Sequence, residues 1–140
     1  MKRMKRRFWP ILSLALALAC GALLFLWQGE RAEPDVDDLW LHSMNGAYER
    51  FSYCLGGNEA DYWYGVAEFH TMADCAVALD MDGKGDANAA AAAMVYDPDL
   101  AKAHLQEIHE TLGTCISDPY NTAQWAVSMN ELYHLLEDGN

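Results

Sequence analysis

A chain of 140 residues, 52% of them hydrophobic, has room for one domain-sized core. Its net charge of −12 argues against nucleic acid as a partner, because an acidic surface repels phosphate. The charge is also split along the chain. Lys2, Arg3, Lys5, Arg6 and Arg7 open it without an acid among them, and all 21 acidic residues follow Trp27.

Between the two lies Phe8 to Trp27, a stretch of 20 residues with no charge. At about 1.5 Å of rise per residue, such a helix spans roughly 30 Å, the thickness of the hydrocarbon core of a bilayer. The expected organisation is a cytoplasmic basic tail (1–7), a transmembrane anchor (8–27), a linker (28–34) and an extracytoplasmic domain (35–140). The basic flank stays on the cytoplasmic side, so the C-terminal domain is displayed outside the cell membrane on a single pass.

Two other fates for this segment also export the domain. Ala17-Leu18-Ala19 has the A-x-A pattern of a signal-peptide cleavage site. Leu18-Ala19-Cys20 resembles a bacterial lipoprotein box, which implies lipidation at Cys20. Ala17 departs from that pattern, and the apolar run continues for seven residues past Cys20. The uncleaved anchor is the reading adopted. Pro34 then stops the helix, since proline lacks an amide donor.

The rest reads as all-α, a small antiparallel four-helix bundle. A first helix over 36–55 starts at the cap Asp35, with Asp37 and Asp38 at the positive end of its dipole. Its apolar residues Trp40, Met44, Ala47, Phe51 and Cys54 alternate in steps of four and three, one buried face. Gly56-Gly57 ends it. Asn58 caps a second helix over 59–79, with Tyr62, Val66, Phe69, Ala73 and Ala76 or Val77 inward.

Residues 80–86 form a turn, and the alanine-rich 88–96 a short extra helix. Asp97-Pro98 and Asp118-Pro119 are matching start signals. They open a third helix over 98–115, facing inward through Ala101, Leu105, Ile108, Leu112 and Cys115. They also open a fourth over 119–137, facing inward through Thr122, Trp125, Met129, Leu132 and Leu136. Helices of this length need packing to persist in water.

Few residues suggest chemistry. Asp80-x-Asp82-x-Lys84-Gly85 resembles the start of an EF-hand loop, which implies Asp80 and Asp82 as calcium ligands and Gly85 as the turn glycine. Lys84 stands where an oxygen ligand belongs, and Ala91 where the closing glutamate does; calcium needs six to eight oxygens. Asp80, Asp82 and Asp86 are therefore the metal candidates of an alternative, cation-binding reading. His42, His104 and His134 are a second candidate set, placed at one end of the bundle. Cys75, with His70 or Asp74, is the nucleophile of a third reading, a small thiol enzyme.

No phosphate loop, nucleophile elbow or dinucleotide fingerprint is present, and no cofactor is expected. Tyr62-Trp63-Tyr64 cannot all enter one seam, because successive helical residues point about 100° apart. At least one ring then lies at the surface, where aromatic residues serve protein contacts. The expected function is a non-catalytic, membrane-tethered interaction or structural module with a protein partner. In an exported domain disulfides persist. Cys54 and Cys115, both at the far ends of their helices, are the expected pair, with Cys75 left free.

Overall fold

The computed structural model describes residues 2–30 and 35–138. They are all-helical, with seven helices and no strand among the described residues. The chain divides into two units, Met1–Pro34 and Asp35–Asn140. The expected stop at Pro34 falls outside the described residues.

The first unit is one helix, α1 (Lys2–Glu30). Its stretch Pro10–Trp27 is long and apolar enough to cross a membrane, and none of it is buried within the protein. The large side chains from Ile11 to Trp27 are exposed, an arrangement that water penalises and lipid does not.

The second unit opens with α2 (Val36–Leu55), bounded where the sequence predicts. The Asp35 carboxylate accepts the Asp37 amide at 3.2 Å, and Gly57, at φ +110°, turns the chain out of the helix. Trp40, Met44, Ala47 and Phe51 are buried, as their spacing requires; Cys54 is half-buried.

The helix α3 (Asp61–Ala78) begins later than expected. No side chain caps it, so Asn58 does not have the role assigned to it; its carbonyl accepts the Asp61 amide instead. Beyond the predicted seam, Gly65, Met72 and Cys75 are also buried, and Val77 is exposed. The buried face is broad because α3 packs on two helices, α2 and α4 (Lys84–Tyr96).

The alanine-rich α4 is longer than expected and belongs to the core. Ala87, Ala90, Ala91 and Met94 are fully buried as α4 packs between α3 and α7 (Thr122–Glu137). Alanine loses no side-chain entropy and lets neighbouring backbones come close. The predicted turn accordingly shortens, with Lys84, Gly85 and Asp86 joining the helix.

The third predicted helix is two. Asp97 caps α5 (Pro98–Ala103), accepting the Leu100 amide at 3.1 Å, and the chain breaks at His104 before α6 (Leu105–Ser117). Nothing in the residue types marks that break. Leu105, Ile108, Leu112 and Cys115 are buried as predicted. The last start signal is displaced: Asn121, not Asp118, caps α7, accepting the Gln124 amide at 3.0 Å. Pro119 and Tyr120 remain in the preceding turn, and Thr122, expected inward, is exposed.

α2 also packs on α6, and α6 on α7, so the contacts close around a single core. Two polar features fasten it. Asp61, only 6% exposed, receives the Arg50 guanidinium at 3.0 Å. The buried Tyr62 hydroxyl donates to the Met94 carbonyl at 2.6 Å, tying the start of α3 to the end of α4.

Candidate binding surface

The aromatic run divides by burial. Tyr62 is core, with the Lys102 ammonium 5.0 Å from its ring centroid and the Trp63 ring edge-on at 5.1 Å. Burial, then Cys54, Asp97 and Asp99 nearby, push its phenol well above the ordinary range. Trp63 and Tyr64 are half or more exposed, and Arg50 lies over Tyr64 at 5.3 Å. That cation is already committed to Asp61.

The acidic turn does not assemble a cation cup. Asp80, in the left-handed region at φ +52°, is paired with Lys84, whose ammonium holds its carboxyl below the usual range. Asp86 accepts from the Asn130 amide at 3.3 Å on α7. Among the described residues no three His, Cys, Asp or Glu side chains group to hold a metal ion, neither Asp80, Asp82 and Asp86 nor His42, His104 and His134. His104 and His134 instead lie 3.5 and 3.7 Å from Glu107 and Glu137, one turn along their own helices. His109 stacks on Tyr48 with ring centroids 4.1 Å apart.

The expected Cys54–Cys115 disulfide is not formed: Cys54, Cys75 and Cys115 are free and not near one another. The extra crossing by α4 is the reason. The end of α4 meets the start of α3 through Tyr62 and Met94, and Lys102 of α5 lies over the same Tyr62 ring. Cys54 stays beside Lys102, Glu59 and Asp61, while Cys115 near the end of α6 lies beside Ser128 of α7.

Burial pushes all three thiols up, joined at Cys75 by the charge of Asp74. A catalytic cysteine needs the opposite, a stabilised thiolate. At any given pH a raised pKa leaves less thiolate, so alkylation of the folded protein is slower than that of a free thiol in water and accelerates at higher pH. Non-reducing peptide mapping is expected to find Cys54, Cys75 and Cys115 unbridged. A Cys54–Cys115 peptide would contradict the helix order.

A cleft of about 260 Å³ opens where three chain segments meet. The first turns of α2 supply Trp40 and Leu41, the α3–α4 turn Leu79 and Met81, and the α6–α7 turn Pro119 and Tyr120. Trp40 is nearly buried and meets Trp125 edge-on at 6.1 Å, which fixes the floor. Tyr120, 83% exposed, forms an outer wall. Asp37 and Asp38 stand at the rim, both exposed, and no ion pair among the described residues engages their carboxylates.

Sequence patterning does not announce this site. The residues that line it lie in three separate stretches, and Pro119 and Tyr120 read as the start of a helix. The sole sequence signal is the doublet Asp37-Asp38, which helix-dipole stabilisation accounts for equally well. Compared with protein-family models, curated proteins and solved structures, the chain matches none of them.

Proposed function

We propose that the chain is a single-pass membrane protein that displays an acidic, non-catalytic helical module outside the cytoplasm, where it binds a protein partner. One observation carries the reading: the apolar helical stretch Pro10–Trp27, none of it buried within the protein, follows five basic residues and precedes every acidic one. The positive flank is held on the cytoplasmic side, which sends the domain across. The expected antiparallel helix order belongs to the same proposal. It is supported by the bond from Tyr62 at the start of α3 to Met94 at the end of α4.

The interaction role is supported by exposed Trp63 and Tyr64, and by the cleft between the helix ends. The cation-binding and thiol alternatives draw no such support, since Lys84 occupies Asp80 and the Cys75 thiol is raised.

Retention of the anchor is tested by mass spectrometry of alkaline-washed membranes. The expected result is a protein that stays in the pellet and yields peptides from residues 1–7. A mature N-terminus at Cys20 would replace the anchor with a lipid.

A further inference from the structure

We infer that the acidic-rimmed cleft at Trp40 and Leu41 is a receptor for one apolar side chain carried on a basic polypeptide segment. The inference rests on the reading of the domain as an interaction module and names the chemistry of its partner.

Size selects a side chain. At about 260 Å³ the cleft falls below the roughly 300–1,000 Å³ of sites that enclose a whole small molecule. Its walls, Leu41, Leu79, Met81 and Pro119, offer apolar contact, and the Trp40 ring at the floor offers a rigid one. An aliphatic or thioether side chain from a partner fits that chemistry, in the way that anchor residues fill pockets at protein interfaces.

Charge selects its flanks. The unit from residue 35 to 140 holds 19 Asp and Glu against three Lys and Arg. Each of those three cations is engaged elsewhere: Arg50 with Asp61, Lys84 with Asp80 and Lys102 over the Tyr62 ring. No other lysine or arginine of residues 35–140 remains for Asp37 and Asp38 at the mouth of the cleft. Both side chains are exposed, so a partner meets two carboxylates at the rim. Lysine or arginine on either side of the apolar anchor complements them, while an acidic segment is repelled.

The test uses the full chain in maltoside micelles and two fluorescein-labelled pentapeptides, Lys-Lys-Leu-Lys-Lys and Lys-Lys-Ser-Lys-Lys, read by fluorescence anisotropy. The leucine peptide is expected to bind about 10-fold tighter than the serine peptide, the factor that burying much of one leucine side chain carries. Leu79→Trp fills the cleft and removes that advantage while leaving the weaker, charge-driven binding of both peptides. Tyr120→Ala opens the outer wall and reduces the same ratio; because Tyr120 is exposed, this variant stands even where Leu79→Trp does not fold. Asp37→Asn combined with Asp38→Asn weakens both peptides together, and added salt does the same.

Equal affinities for the two peptides would overturn the inference, as would a leucine advantage that survives both cleft variants. So would a Glu-Glu-Leu-Glu-Glu peptide that binds as well as the lysine one. The micelle assay reads the cleft whichever side of a membrane the domain occupies. Its failure is therefore distinct from failure of the topology, which only an experiment on cells detects.

Discussion

Phe51→Ala destabilises the helical domain by about 3–5 kcal/mol, the range for a large aromatic side chain removed from a packed core. Phe51 is fully buried on α2 and faces Gly65 on α3. A Cβ placed on Gly65 would lie 2.5 Å from Phe51 Cε1, closer than atoms approach, so the two positions are fitted to each other. Gly65→Ala alone is therefore expected to cost about 1–3 kcal/mol by overpacking. In the Phe51→Ala background the sign reverses. The cavity admits the new methyl group, and alanine is favoured over glycine in a helix by up to about 1 kcal/mol. Urea denaturation of the four proteins, followed by circular dichroism, measures the cycle. A Gly65→Ala cost that is the same in both backgrounds would mean that α2 and α3 do not meet at this contact.

Gly83→Ala is expected to cost about 2–5 kcal/mol, from two separable terms. Gly83 sits at φ +85° as it starts α4, a conformation that costs an alanine about 1–2 kcal/mol. Its Cβ would also lie 2.8 Å from the Ala126 Cα of α7, and backbone cannot swing aside as a long side chain does. Gly57 supplies the control. It has φ +110°, but a methyl group added there would meet nothing within 4 Å, so Gly57→Ala carries the conformational term alone. The excess of Gly83→Ala over Gly57→Ala in the same denaturation experiment measures how closely the α3–α4 turn approaches α7. Equal costs would remove that contact, and with it one side of the cleft.

Both contacts show where the sequence is legible and where it stops being so. The seam Trp40, Met44, Ala47 and Phe51 is readable because a helix that buries one face repeats its apolar residues at that spacing. The seam through Leu105, Ile108 and Leu112 is readable for the same reason. α4 is not, because a run of alanines carries no contrast between faces; its membership of the core follows from the closeness that α3 and α7 allow. The misplaced disulfide has the same origin, since α4 packs into the core as a full helix between α3 and α7, and Cys54 and Cys115 do not come together.

Capping misleads in a different way. Asp118-Pro119 signals a start, but Asn121, nearer to Trp125, is the residue that caps α7. The three residues left over, Asp118 to Tyr120, become part of the turn that walls the cleft. Its other walls come from positions about 40 residues apart in the chain, brought together by packing alone. The apolar stretch Pro10–Trp27, by contrast, is legible as composition, because the length and apolarity that a bilayer crossing asks for need no particular partner.

Protease added to intact cells, with the outer face of the membrane made accessible, tests most directly whether the module is tethered and faces outward. The expected result is that the 35–140 domain is digested while residues 1–7 remain protected until the membrane is lysed. A domain that resists digestion in intact cells, and is cut only after lysis, would place it in the cytoplasm and contradict the outward topology.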